Sequence, residues 1–355
     1  MGTSWGFDSP SRHHCKQTLC VRKAANYSTD RGGYPMPAEG RRACLPIHSC
    51  APVPVKTARP GTLACWWLAI RPQTLTVAMA PVIVGSALAW STQGSLHPAS
   101  TALALLTAVL IQIGTNLHND VGDFERGSDA PDRLGPPRAT ARGWLSAAAV
   151  RRGAWVAFFL AFICGTYLAW RGGWPIVAVG LASLLAGWAY TGGPRPIAYT
   201  ALGELFVLLF FGYAAVAGSY YLQTLSLGPA VLLCGAMVGL FAAAVITVNN
   251  YRDRDTDARV GKKTLAVVVG RRAVKQVYAA EMLLPFVFLP WLATLLGWSV
   301  WFALPLLLLP WTVREIGLFW RLPPGSVFNE VLARTARLQL AYCVLLAAAI
   351  VARQL

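Results

Sequence analysis

The sequence predicts an all-α polytopic membrane protein of nine transmembrane helices with its N-terminus in the cytoplasm. Three observations carry that prediction. Of 355 residues, 55% are hydrophobic and 13% charged, and the mean hydropathy is +0.49; a soluble domain carries about 25% charged residues. The apolar residues gather into runs long enough to cross a bilayer, whose core of about 30 Å needs about 20 helical residues at roughly 1.5 Å each. The basic residues fall on alternate loops, as the positive-inside rule requires.

Taken in order, residues 1–62 are rich in Arg, Lys, Ser, Pro and Gly and lack the apolar core of a secretory leader. They read as a disordered or targeting extension, for which Met36 offers an internal start, and 63–355 read as the membrane domain. Apolar runs then lie at about 64–90, 99–118, 147–170, 174–191, 197–222, 229–249, 275–296, 299–318 and 335–353. The runs at 275–296 and 299–318 almost touch and carry Pro285, Pro290, Pro305 and Pro310, which leaves their division open. On this division Arg171 and Arg353 alone, of 31 Lys and Arg, lie on the outer face. That asymmetry explains the net charge of +16 without nucleic acid. Trp66 and Trp67 are expected to anchor the first helix at the interface. Cys65, Cys164, Cys234 and Cys343 lie inside apolar runs, and no CxxC pair occurs, so the cysteines read as small apolar side chains.

The chemistry gathers where the second and sixth runs end. The stretch NLHNDVGDFERGSD places Asn116, Asn119, Asp120 and Asp123 on one helical face, with Glu125 off it and Asp129 beyond. The stretch NNYRDRDTD places Asn249, Asp253 and Asp257 on one face, with Asp255 pointing elsewhere. Carboxylates at a helix C-terminus meet the negative end of the dipole and repel one another. Arginines alone would compensate one such cluster; two on the same membrane face point to a shared cation. Mg2+ takes one or two carboxylates and completes its shell with water and phosphate oxygens. Two Asp-bearing helix ends, with Lys262 and Lys263 just beyond the second, therefore suit a diphosphate held through Mg2+. No GxxxxGK[ST] loop is present, which argues against ATP-like use of that diphosphate.

These motifs resemble the two Asp-rich motifs of the UbiA-type intramembrane aromatic prenyltransferases, over about residues 66–350. RPQTL at Arg71–Leu75, DRLGPPRA at Asp132–Ala139, YTGGPRPIAY at Tyr190–Tyr199, LGELFVLLFFG at Leu202–Gly212 and VGKKTLAVVVG at Val260–Gly270 extend the likeness. GDFxxGxD, DRxGPxRA and GKKTLAV look most like the 1,4-dihydroxy-2-naphthoate polyprenyltransferases of menaquinone synthesis. The family's first motif is often NDxxDxxxD; its last position here is Gly127, and Asp129 stands two residues on.

The resemblance implies a membrane enzyme that joins a polyprenyl diphosphate to an aromatic acceptor, the naphthoate losing CO2 as it gains the chain. It implies Mg2+ on Asp120, Asp123, Asp253 and Asp257, with Asp129 as a further ligand. Lys263 joins the four acids as a catalytic residue. Lys262, Arg138, Arg71 and Arg195 would face the diphosphate, and Asn116, Asn119 and Asn249 would orient ligands or water. Glu204, read as the one acid deep in a span, is assigned to acceptor binding or proton handling, against a paired structural role. Tyr190 and Tyr199 are read as ring-binding residues or interface belt, and His118 as near the site or facing water. The expected setting is a bacterial inner membrane, or an organellar one if the tail is a transit peptide. A transporter using Glu204 as proton carrier is the rival class, but its ionisable groups would gather near the midplane. Acceptors such as 4-hydroxybenzoate, homogentisate or a porphyrin are the alternatives within the class.

Overall fold

The computed structural model describes residues 60–129 and 133–354, all within the compact unit Thr57–Leu355. The tail through residue 59, with Met36 and the four N-terminal cysteines, lies outside them, as does Asp132. Among the described residues there is no strand.

The first apolar run is two helices, not one. α1 (Thr62–Ile70) stops at Arg71, which adopts a left-handed conformation at φ 54, and α2 (Pro72–Gln93) starts on Pro72. The proline disfavours helix in the residue before it and is itself at home in a first helical turn. α3 (Pro98–Glu125) runs unbroken through the first acidic stretch, and α4 (Ala147–Gly172) returns across the bundle. α5 (Trp174–Ala189) follows after Gly173 at φ 67.

The fifth run begins later than expected. Residues Ile197–Tyr199 form a single 3-10 turn, and helix starts at α6 (Gly203–Val207). It passes through a π segment (Leu208–Ala214) into α7 (Ala215–Thr224). There Gly212 lies against Gly235 and Gly239 of α8 (Pro229–Arg259), so close that a Cβ on Gly239 would sit 2.7 Å from the Leu208 carbonyl oxygen. Small residues let two backbones meet without intervening side chains.

α9 (Leu265–Val287) starts ten residues before the run predicted at 275–296, bends at Gly270 (φ 81), and leads into α10 (Leu289–Leu296). A turn at Gly297 separates these from a 3-10 stretch (Val300–Leu308) and α11 (Leu309–Arg321); α12 (Phe328–Ala352) closes the chain. Among the described residues eight helical segments are long and apolar enough to cross a membrane, and α5 is a ninth apolar helix of 16 residues. The chain is a multi-pass membrane protein.

α8 is the central post. Its buried face packs on α2, α9 and α12, with Phe241, Phe286 and Tyr342 meeting edge to face or tilted. Near its C-terminal end Tyr251, Tyr278, Phe319 and Phe328 form a second aromatic group. A smaller core joins α1, α3 and α4 around Leu117, Val121, Val150 and Ala154, and Trp66 packs against it. Trp66 is therefore a packing residue rather than the anchor expected; Trp67, 61% exposed, is free to be one. Cys65, Cys234 and Cys343 are buried as free thiols. Glu204 is not the one acid deep in a span: Glu281 of α9 and Glu315 of α11 are buried too.

Candidate active site

Because α3 and α8 continue as helix past their apolar stretches, both acidic motifs stand on rigid helix ends. On α3, Asn116, Asp120 and Asp123 are buried and Asn119 is half-buried, all on the expected face. Glu125 points away, exposed, and pairs with Arg151. Asn116 donates to the Ile70 carbonyl at 2.9 Å and to Thr74 Oγ1 at 3.0 Å, locking α3 to the joint before α2. Asp120 accepts backbone N–H groups from Ala139 (3.1 Å) and Thr140 (3.2 Å), which folds the DRLGPPRA loop back over the motif.

Asp123 meets two cations. Arg138, itself buried, donates to Asp123 Oδ2 at 2.6 Å and to Asn119 Oδ1 at 3.0 Å. Lys262 Nζ lies 3.0 Å from Asp123 Oδ1 and 3.9 Å from Asp257 Oδ1, so one ammonium bridges the two motifs. Asp129 turns inward, 2.8 Å from Arg133 and 3.6 Å from Arg138, and its Oδ2 is buried without a hydrogen-bond partner among the described residues. Burial pushes its carboxyl up to about 6, against the pull of Arg133. Burial works to lower Lys262, but Asp123 and Asp257 outweigh it and hold the ammonium above its ordinary value.

On α8, Asp253 and Asp257 are buried while Asp255 is exposed and paired with Arg254 and Arg271. Arg252 grips Asp253 with two bonds of 2.8 and 2.6 Å. It also reaches Asn249 Oδ1 at 2.8 Å and Asn329 Oδ1 at 2.7 Å, and Asn329 donates to the Leu134 carbonyl at 3.0 Å. Sequence reasoning passed over Arg252 and Asn329. The first had a signal, a basic residue directly before the motif's Asp; Asn329, on a distant helix, had none.

A cavity of about 700 Å³ opens beneath this cluster. Arg71, Asn116, Asn119, Tyr190 and Asn249 line its polar end; Val82, Ala104, Ile176, Phe206, Phe210 and Leu222 line the rest. Ala104 to Asn119 is about 22 Å of helix at roughly 1.5 Å per residue, a tunnel most of a bilayer deep. The Arg71 guanidinium lines that cavity with no hydrogen-bond or ion-pair partner among the described residues.

Other expected residues fall differently. Lys263 is exposed and joins the cluster through its backbone N–H, which donates to the Tyr199 carbonyl at 3.0 Å, so Lys262 is the lysine inside. Arg195 is exposed and lines no part of the cavity. Glu204 accepts from Asn250 at 2.8 Å, a paired buried acid. His118 Nε2 is buried without a partner among the described residues and lies against Gly192, not in water.

Among the described residues no three acidic, His or Cys side chains converge as a metal cluster. Mg2+ does not need one, since waters and phosphate oxygens complete its shell. The hard oxygen donors of five aspartates, with Asp129 Oδ2 unpartnered among the described residues, fit such an ion.

The family model of the UbiA prenyltransferases matches residues 78–329. The chain belongs to this family. It is 37% identical over 281 residues to the 1,4-dihydroxy-2-naphthoate octaprenyltransferase of Escherichia coli, which covers 77% of this chain and 90% of that one. The enzyme of the same description from Bacillus subtilis is 31% identical over 270 residues, 75% of this chain and 83% of its own. A UbiA homolog from Archaeoglobus fulgidus, solved bound to DMAPP and Mg2+, superposes with a TM-score of 0.58 at 13% identity, covering 80% of this chain and 99% of that one. This UbiA-family chain is a polyprenyltransferase.

Proposed function

We propose that this UbiA-family enzyme transfers a polyprenyl group from its diphosphate to 1,4-dihydroxy-2-naphthoate, with loss of CO2, in a Mg2+-dependent reaction. The observation that carries the reading is two Asp-bearing helix ends joined through Lys262 at the polar mouth of an apolar cavity. Asp120, Asp123, Asp129, Asp253 and Asp257 are the residues that would hold Mg2+, which supplies charge neutralisation to the leaving diphosphate when bound.

The chain's own groups do the rest. Lys262 and Arg138 stand beside Asp123, where they can turn to phosphate oxygens as the C–O bond to the allylic carbon breaks. Asn119 and Asn249 orient ligands at the mouth, and the apolar tunnel keeps water from the allylic cation. Arg71, with no ion-pair partner among the described residues, offers the acceptor's carboxylate a charged, planar partner. With that carboxylate on the attacked carbon, CO2 leaves in place of a ring proton, and no base is required there. The descriptions of the Escherichia coli and Bacillus subtilis relatives support the same acceptor. The setting we infer is a bacterial plasma membrane crossed nine times, with the acidic motifs on the cytoplasmic face.

Membranes carrying the enzyme, given dihydroxynaphthoate labelled in its carboxyl group, are expected to release CO2 when polyprenyl diphosphate and Mg2+ are both added. Prenylation of 4-hydroxybenzoate with no CO2 from the naphthoate would overturn the acceptor assignment.

A further inference from the structure

Tyr199 ends the 3-10 turn between α5 and α6, and every face of it is used. Its ring lies 4.7 Å from the Lys262 ammonium and 5.7 Å from the Arg126 guanidinium. Its hydroxyl shares a 2.5 Å hydrogen bond with Ser128, just beyond the first motif, and its carbonyl accepts from Lys263 beyond the second. Arg126 completes the fastening by donating to the Thr191 carbonyl at 2.5 Å and the Gly193 carbonyl at 3.0 Å. One tyrosine thus ties the loop before α6 to the ends of both acidic helices.

The consequence falls on Lys262. A lysine is a point charge on a flexible four-carbon stem, and fixing that stem costs rotamer entropy. Its carboxylate partners, Asp123 and Asp257, are the groups a divalent ion would claim. When they turn to such an ion, the aromatic face remains, and a cation over a Tyr face keeps about 0.5–2 kcal/mol of attraction.

We propose that Tyr199 is a positioning residue for diphosphate binding, acting through Lys262: its ring keeps the ammonium at the junction of the two motifs while the aspartates are otherwise engaged. This rests on the reading that the two motifs hold the diphosphate.

The test uses the full chain in detergent or nanodiscs, with inorganic pyrophosphate as a competitive probe. Tyr199→Leu, or Tyr199→Met if the first is poorly folded by its thermal midpoint, is expected to weaken pyrophosphate inhibition about 2- to 30-fold, the span that 0.5–2 kcal/mol allows. The acceptor KM should not move. Tyr199→Phe keeps the ring and should stay within about twofold of the parent. In a Lys262→Met background Tyr199→Leu should add less than about twofold, because the partner it serves is gone. Unaltered inhibition in Tyr199→Leu, or an equal loss in the Lys262→Met background, would overturn the proposal. Asp123→Asn separates the two layers. If it abolishes turnover while Tyr199→Leu binds pyrophosphate normally, only the Tyr199 role falls; if it turns over fully, the two-motif reading falls and takes Tyr199 with it.

Discussion

Two adjacent lysines divide the work, and nothing in a linear reading separates them. Lys262 and Lys263 follow the same glycine, but Gly261 sits at φ 77 and turns the chain so that one side chain enters the cluster and the next faces out. Lys262→Met is therefore expected to lower kcat/KM for the prenyl diphosphate by about 10- to 150-fold, the loss of a charged hydrogen bond of roughly 1.5–3 kcal/mol. Lys263→Met should stay within about threefold; steady-state kinetics decide between them. Asp129 yields a pH dependence. Its carboxyl is raised by burial from 3.8 to about 6, so between those values the folded chain holds a proton that the unfolded chain has lost. The stability this proton contributes is present below about pH 4 and disappears as pH rises through about 6. Mg2+ competes for the same oxygens, so its affinity should fall as pH drops through about 6. Asp129→Asn should flatten that pH dependence in a metal titration read by thermal midpoint. The motif's spacing left Asp129 open, since its last position falls on Gly127; the partners of Asp129, Arg133 and Arg138, depended on how an intervening loop folds.

Helices were legible where charge and proline bounded them and hidden where charge lay inside them. α4 (Ala147–Gly172) and α8's apolar part fall where the runs predict, because their ends are marked by basic or glycine-rich loops. The start of α9 was missed because Arg271, Arg272 and Lys275 interrupt the apolar pattern of a helix that begins at Leu265. The break at Arg71 had its signal in Pro72, outweighed by the apolar residues on both sides. The contact between α8 and the π segment was hidden altogether: CGAMVG, with Gly235 and Gly239 four apart, read as one more apolar stretch. Its role shows only when Gly212 arrives opposite. Gly239→Val would drive a side chain into the Leu208 backbone, which cannot rotate away, and overpacking of this kind costs about 1–3 kcal/mol. The expected result is a thermal midpoint lower by several degrees with reduced turnover. Gly317→Ala on α11, with open space around its added methyl, is the control and should leave the midpoint unchanged.

At the scale of the molecule, contact between the motifs constrains how many times the chain crosses the bilayer. Lys262, just after α8, touches Asp123, near the end of α3, so those two ends share a membrane face. Between them the chain passes along α4, α5, the α6–α7 segment and α8. An even number of crossings must separate two points on one face, so in the proposed topology α5 crosses along with the other three. Its 16 residues span about 24 Å, short of a 30 Å core, and a helix of that length is accommodated by local thinning of the bilayer. Were α5 to stay on one side, the Arg-rich loop after α3 and the Lys/Arg-rich loop after α8 would face opposite compartments. That would defeat both the charge asymmetry and the shared site. The proposed topology then has nine crossings, with α2 leading out, α12 leading out again and the C-terminus opposite the N-terminus. Arg353 fits that proposed end: it donates to Ser91 Oγ at 2.7 Å and to the Leu296 carbonyl, fastening the last helix to α2 and α10. In bacterial membranes, alkaline phosphatase fused after Leu355 should be active and a green fluorescent protein fused there dark. A fluorescent C-terminal fusion with an inactive phosphatase would mean an even count, and the crossing of α5 would be the first assignment to abandon.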